Sequence, residues 1–250
     1  MKRTERHHLK ENELVHTIAS ARELLEGRQR QLVTAVIALV VVGVGFLGYR
    51  VFRQQSESRG QNLLADAMVA LNARVVPAGE KTEGGDVPAA ATLGATGTFA
   101  TEEAKLNAAL PKLKAAADAY PDSKAGITAR YHLAGALAAL GKHQEAIQAF
   151  DDVSKRAGSN SLYGRMARLG KADTQAHAGQ LDAAIATWKD MSSANPKDLP
   201  VDAILMELAR AYAQKGNRED ARKTFTQIVD QHPDSPYSAE ARAELENLKG

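Results

Sequence analysis

The chain has 250 residues, a formal net charge of +2 and no cysteine. A charge this close to neutral gives no basis for a partner held by phosphate neutralisation, so nucleic acid is not an expected partner. The lack of cysteine excludes disulfides, thiolate metal sites, a cysteine nucleophile and an acylated lipoprotein cysteine. Aromatic residues make up only 5% of the chain and alanine is abundant, which favours an all-α fold packed through small residues.

The chain begins with a tail, residues 1–31, that is expected to be cytoplasmic. Within it Leu14, Ile18, Ala21 and Leu25 recur at helical spacing, which predicts a short amphipathic helix beside a membrane. This helix could lie on the inner membrane face, contact a membrane partner, or only solvate the tail. The sequence leaves all three possibilities open.

An uncharged segment of eighteen residues, Leu32 to Tyr49, follows the tail. As a helix it would cover about 27 Å, close to the thickness of a bilayer's hydrocarbon core, so residues 32–52 are predicted to be a transmembrane helix. Closely flanking arginines disfavour a buried core helix, and the exit through Tyr49-Arg50-Val51-Phe52 disfavours a cleaved signal peptide. Basic residues are more numerous before the segment, which favours a cytoplasmic N-terminus and places the rest of the chain outside the cytoplasm.

Two helices separated by an insert are predicted next. Residues 53–76 carry one apolar stripe and predict a helix that leads from the anchor into a first repeat. Residues 77–100 are rich in Gly, Ala, Thr and Pro without periodicity, which predicts a flexible insert. A second helix is expected to open at Thr101 and to end before Pro121, and it places Leu113 where later repeats have an aromatic residue.

From there the chain repeats itself. Turns between helices are predicted at Gly141, Gly179 and Gly216, at spacings of 38 and 37 residues, and such a period is typical of a helical solenoid. A small residue and then an aromatic follow each glycine at a fixed distance, so that two helices can approach and a ring fills the wedge between them. These pairs are Ala146 with Phe150, Ala184 with Trp188, and Ala221 with Phe225. Residues 101–250 are thus predicted to form a repeat array that ends in a capping helix.

The units GKHQEAIQAF, GQLDAAIATW and GNREDARKTF resemble the tetratricopeptide repeat. That family has Gly at the turn, Ala and Phe on the second helix and Pro after it. The middle unit departs from the family at Lys171 and Gln175, where apolar or aromatic residues are usual. The resemblance implies that proteins or peptides bind at the concave face lined by the first helix of each unit. Aligned by the turn glycines, the implied groove residues are Thr128, Tyr131, Met166, Asp173, His177, Met206, Arg210 and Gln214.

No arrangement of residues for catalysis, a cofactor or a metal is recognised. Neither a Gly-x-Ser-x-Gly elbow nor a His-Glu-x-x-His pair occurs, and His132 and His143 fall on different predicted helices. The adjacent carboxylates of Asp151 and Asp152 diverge around a helix and are interpreted as a solvated face. We therefore expect a non-enzymatic protein without cofactor or metal.

The whole layout, a tail, one span and degenerate repeats, resembles the bacterial ancillary Sec translocon subunit and cell-division coordinator repeat family. This resemblance implies a protein of the bacterial inner membrane with a cytoplasmic N-terminus and a periplasmic array. It also implies translocon subunits as candidate partners and a chaperone-like handover of exported proteins. The alternative is an envelope scaffold that recruits one complex in division, secretion or outer-membrane assembly. Both functions remain open at the level of the sequence.

Overall fold

The computed structural model describes residues 29–76, 98–194 and 199–248. This part of the chain is mainly helical, as predicted, and carries one pair of short strands. In chain order the elements are α1 Gln29–Leu71, β1 Arg74–Val75, β2 Thr98–Phe99, α2 Glu102–Ala119, α3 Lys124–Ala139, α4 His143–Ala157, α5 Leu162–His177, α6 Leu181–Ala194, α7 Val201–Gln214, α8 Arg218–Gln231 and α9 Ser238–Asn247. The chain divides into two compact units, Met1–Gln55 and Ser56–Gly250.

Helix α1 contains the predicted anchor. Its apolar stretch of 18 residues has a mean hydropathy of 2.2, and none of it is buried inside the protein. By length and composition this helix is able to cross a membrane, although a signal sequence near an N-terminus has the same properties. The amphipathic helix predicted between Leu14 and Leu25 lies outside the described residues.

The region after α1 differs from the sequence prediction. The helix ends at Leu71 rather than at residue 76, because the next residues enter a parallel pairing of β1 with β2. The Val76 N–H donates to the Phe99 carbonyl at 2.8 Å, so backbone groups released from the helix are satisfied by this ladder. The predicted flexible insert, 77–100, therefore ends in an ordered strand, while residues 77–97 lie outside the described residues.

Each first helix of the early units opens with the same local structure. The Ser123 hydroxyl accepts a hydrogen bond from the Gly126 N–H at 3.0 Å, and Ser161 accepts one from Gly164 at 3.0 Å. These serines cap free N–H groups of the first turn. A Cβ atom on Gly126 would lie only 2.0 Å from the Tyr120 carbonyl oxygen, so the close approach of the preceding chain requires glycine there.

The predicted turns between paired helices are confirmed. Gly141, Gly179 and Gly216 have φ angles of +72°, +75° and +80°, in the left-handed region that glycine adopts without steric cost. The amide after each glycine returns to a carbonyl of the last helical turn, as Lys142 N does to Leu137 O at 2.9 Å. This closure is the common helix C-terminal motif, and it repeats with the period of the sequence.

The small and aromatic residues of the second helices form the core, as predicted. The three alanines are fully buried, and the aromatic side chains are 1–4% exposed at Phe150, Trp188 and Phe225. In the first repeat, formed by the end of α1 and by α2, Leu113 takes the aromatic position. Its side chain is fully buried beside Ala67 and Ala70 of α1. The end of α1 and helix α2 therefore share one apolar cluster.

Candidate functional site

The residues predicted for the groove lie on α3, α5 and α7, the first helices of successive units. Helix α5 contacts both α3 and α7, so side chains of the three helices can act together. We call their accessible side chains around α5 the first-helix face. Its members are Tyr131, Tyr163, Asp173, His177, Glu207 and Arg210.

An aromatic corner stands at one end of the first-helix face. The Tyr131 ring meets the Tyr163 ring edge-on at a centroid distance of 5.9 Å and the Phe150 ring at 5.8 Å. Edge-to-face pairs of this kind are favourable beyond the area they bury. Burial, followed by the charge of Asp173, raises the pKa of the Tyr131 hydroxyl. The Tyr131 ring therefore forms a fixed aromatic surface, and its hydroxyl stays protonated.

Asp173 of α5 is the most unusual group of this face. Its Oδ1 atom is buried and has no hydrogen-bond partner. Burial raises the pKa of its carboxyl to about 6, and the charge of Glu207 adds to the shift. The indole N–H of Trp188 and the His177 side chain oppose this rise in pKa. The His177 ring itself is held by its Nδ1, which lies 2.8 Å from the Asp173 carbonyl oxygen.

Two other half-buried acids differ from Asp173, because they have cationic partners within the chain. Asp151 lies 2.6 Å from Lys155 and 2.7 Å from Lys171, and hydrogen bonds to these two lysines lower its pKa. Asp152 lies 2.6 Å from Arg130 of α3. Both side chains stay partly exposed, at 36% for Asp151 and 32% for Asp152, in line with the solvated face that was predicted, and their carboxylates also tie α4 to α5 and to α3.

Arg210 of α7 belongs to the opposite end of the face. Its guanidinium lies 2.6 Å from Glu207 and 2.5 Å from Glu240 of α9. The hydrogen bond to Glu240 is the main reason that the pKa of Arg210 is raised. The arginine therefore joins α7 to α9, and its charge is matched by carboxylates of the array.

One predicted groove residue is wrong. Met206 is 0% exposed and packs in the apolar cluster of Leu205, Ala209 and Phe225, so its side chain cannot reach a partner. Met206 stands ten residues before its turn glycine, the same offset as Tyr131, yet the last unit directs this position into the core.

The other groove residues are accessible to different extents. Thr128 and Met166 are half-buried, and Gln214 is exposed at the end of α7. These three residues, like Tyr131, Asp173, His177 and Arg210, remain predicted contacts of a protein partner.

Sequence reasoning missed Tyr163 and Glu207. A signal for the first was present, because Tyr163, Met166, Asp173 and His177 fall at spacings of three, seven and four residues along α5, which places them on one helical stripe. Glu207 stands three residues before Arg210, so it shares a helix face with a residue that was named.

A depression of about 390 Å³ lies between α2, α3 and α4. Its lining includes the apolar Leu133 and Leu137 and the charged residues Lys114, Arg130, Lys142, Glu145 and Asp152. Arg130 is matched within the chain, since it lies 3.0 Å from Asp118 and 2.6 Å from Asp152. The first-helix face, with its unpaired acid, is therefore the stronger candidate for recognition.

Within the described residues no group of three or more His, Cys, Asp or Glu side chains is placed to hold a metal ion. His132, considered above from the sequence, is half-buried beside Tyr131, and burial lowers the pKa of its imidazole. The described histidines thus give no observation that favours metal chemistry on this face.

Helix pairs that close at a left-handed glycine and stack through small and aromatic residues define a helical-repeat protein. Family models for the tetratricopeptide repeat match residues 102–161 and 178–245. The chain carries tetratricopeptide repeats, as predicted. Proteins with these repeats are generally non-enzymatic scaffolds, and the repeats indicate an adaptor for protein–protein interaction.

Two solved structures are similar to this chain. The nearly identical TPR-like repeats of a Podospora anserina protein are 20% identical to this chain, with a TM-score of 0.51 over 58% of this chain and 77% of that one. A tetratricopeptide repeat protein from Parabacteroides merdae is also 20% identical, with a TM-score of 0.49 over 60% of this chain and 56% of that one. No curated protein matches the chain. At such identity the likeness to the Podospora repeats speaks for the fold alone.

Proposed function

We propose that this protein is a membrane-anchored adaptor whose periplasmic repeat array binds exported or partly folded proteins near the secretion machinery. The observation that carries the proposal is the exposed apolar stretch of α1, with a mean hydropathy of 2.2, in the same chain as a tetratricopeptide array. The excess of basic residues before this stretch supports a cytoplasmic N-terminus in the bacterial inner membrane.

The composition of the first-helix face supports a varied clientele. It combines an aromatic wall at Tyr131, a half-buried thioether at Met166 and the carboxylates of Asp173 and Glu207. A mixed surface that includes a flexible thioether can accommodate segments of different sequence. The resemblance to the ancillary Sec translocon subunit makes translocon components the partners that we propose beside such clients.

Topology can be tested directly because the chain has no cysteine. A single cysteine at the exposed position Gln144 of α4 should react with a membrane-impermeant maleimide in intact spheroplasts. A cysteine placed at Glu5 should react only after the membrane is opened. The reverse pattern would contradict the proposed orientation.

Client binding is tested by photo-crosslinking in native membranes. A photoreactive residue at Thr128 or Gln214 should trap many exported proteins together with translocon subunits, whereas one at the exposed Gln227 of α8 is the matched control. One stoichiometric partner in place of many would favour the envelope scaffold in division, secretion or outer-membrane assembly. Equal, background-level crosslinking at all three positions would argue against both functions.

A further inference from the structure

We propose that the first-helix face binds a lysine or arginine side chain of its protein partner at Asp173. The inference rests on the proposed function, in that the face binds protein, and it adds the chemistry of the bound segment. Such a site needs an acid that the chain itself leaves unmatched, a surface for the stem of the cationic side chain, and neighbours that favour positive charge.

The first requirement is met by the lack of an internal partner. Asp173 Oδ1 is buried without a hydrogen bond, and none of the ion pairs among the described residues includes this carboxylate. The nearby cations are engaged elsewhere, Lys171 with Asp151 and Arg210 with Glu207. A half-buried carboxylate without a cation is costly, and a cation from outside would remove that cost.

The second requirement is met by the aromatic corner. Tyr131 and Asp173 both belong to the first-helix face, and the charge of Asp173 contributes to the raised pKa of Tyr131. The Tyr163 ring packs edge-on against the Tyr131 ring. The aliphatic stem of lysine or arginine packs well on such rings while its charged end reaches the acid.

The third requirement is met by a second acid, on a neighbouring helix. The charge of Glu207 of α7 contributes to the raised pKa of Asp173, and a second negative charge favours a cationic ligand and opposes an acidic one. The indole N–H of Trp188 acts in the opposite sense and lowers the pKa of Asp173, which favours the charged carboxylate that such a ligand needs.

The test uses the full-length protein in lipid nanodiscs and labelled decapeptides of alternating leucine and serine. Three versions differ only at the centre, which is lysine, arginine or uncharged norleucine. Near pH 7.5 the two cationic peptides should bind about tenfold more tightly than the norleucine peptide, the worth of one charge-assisted contact. Asp173→Asn should reduce this preference to less than about twofold, and the exposed Asp230→Asn should leave it unchanged.

The pH dependence gives a second readout. The preference should be largest above the pKa of Asp173, about 6, and should shrink as the carboxyl is protonated at lower pH. The charges of Glu207 and His177 act on the pKa of Asp173, and the charge of Asp173 acts on the pKa of Tyr131. Glu207→Gln and His177→Gln are therefore measured in parallel, to separate their titration from that of Asp173.

Two further measurements keep the test decisive. Circular dichroism checks that Asp173→Asn is folded, and Tyr131→Leu, which keeps the acid, should weaken the cationic preference by about threefold through the lost ring contact. Equal binding of lysine and norleucine peptides, or an unchanged preference in Asp173→Asn, would overturn this inference alone. Absence of binding by every peptide would overturn it together with the proposed client binding.

Discussion

The middle unit, α5 and α6, and the last unit, α7 and α8, share one backbone plan and fill it differently. Eight and four residues before the turn glycine the last unit has Leu208 and Tyr212, and the middle unit has Lys171 and Gln175. Leu208 is 4% exposed in an apolar cluster, while Lys171 is paired with an acid of the preceding unit. Gln175 is 8% exposed, and its Oε1 has no hydrogen bond. The neighbouring unit thus supplies a partner for Lys171, whereas the carbonyl oxygen of the Gln175 side chain is buried without one.

The family models leave a gap at the first helix of the middle unit. The matched ranges, 102–161 and 178–245, flank α5 without including it. The helix nevertheless occupies its place in the stack, because Gly164 keeps the close turn and Ala172 is fully buried. Unusual residues on α5 also include Asp173, so the unit that is least typical in sequence holds the candidate binding group.

The largest effects should come from the rings that both units bury. Trp188→Ala and Phe225→Ala should each lower the free energy of unfolding by about 3–5 kcal/mol, because each leaves a large cavity. Denaturant unfolding of the full-length chain in detergent, followed by circular dichroism, measures this loss.

The two substitutions should differ in where they act. Hydrogen exchange should show lost protection on both sides of α6 in Trp188→Ala, and protection lost mainly from α7 to α9 in Phe225→Ala, since repeats are stabilised by their nearest neighbours. The same exchange pattern in both variants would mean that the array unfolds as one unit.

A somewhat smaller effect should follow from filling the contact between the first two full units. A Cβ atom at Gly170 would lie 2.6 Å from the Phe150 ring, so Gly170→Ala should destabilise by about 1–3 kcal/mol through overpacking. Gly135→Ala is the matched control, because its Cβ would meet nothing within 4 Å and helix propensity alone favours alanine by about 0.5–1 kcal/mol. Denaturant unfolding measures both variants. An unchanged free energy of unfolding in Gly170→Ala would contradict the tight contact between Gly170 and Phe150.

The third effect depends on pH. Folding raises the pKa of Asp173 from 3.8 to about 6, so the folded protein binds this proton more tightly and its stability falls as pH rises between these values. Asp173→Asn should therefore stabilise the free protein by about 1–3 kcal/mol above pH 6 and much less below pH 4. Unfolding curves across this range measure it, with fluorescence of the single tryptophan, Trp188, as the signal. A pH-independent difference would exclude this carboxyl as its source.

The smallest effect tests the polar core position directly. Gln175→Leu removes a buried acceptor that has no hydrogen bond, and it should stabilise the middle unit by about 1 kcal/mol. Gln214→Leu changes an exposed glutamine and should alter stability by less than about 0.5 kcal/mol. If Gln175→Leu destabilised the protein in the same denaturation assay, the middle unit would need its polar residue.

The local sequence pattern was enough to predict the turns and the buried aromatic residues of the array. Glycines at Gly141, Gly179 and Gly216 and the aromatic residues after them follow from spacing, since a left-handed turn and a helix wedge each demand one kind of residue. Long-range pairs could not be read in this way. Asp151 and Lys171 are 20 residues apart, and no local rule joins them.

The candidate site was predictable in outline only. The offset from the turn glycine puts Asp173 on the first-helix face, where it stays a predicted contact residue, but the same rule put Met206 there, and that side chain is buried. The offset alone does not fix the burial of a side chain, since Tyr131 is half-buried and Met206, at the same offset, is fully buried. The burial of Asp173, which makes it unusual, could not be inferred from the local sequence either.

The parallel pairing of β1 with β2 has a practical consequence. Arg74 is registered with Thr98 and Val75 with Phe99, so the pairing holds together the two points of the chain that residues 77–97 join. Doubling the length of a joining segment costs only about 0.6 kcal/mol in closure entropy. The chain therefore offers a splice point at which a fluorescent reporter or an affinity tag can be inserted for imaging or purification, while the stacked helices from α2 onward keep their own sequence.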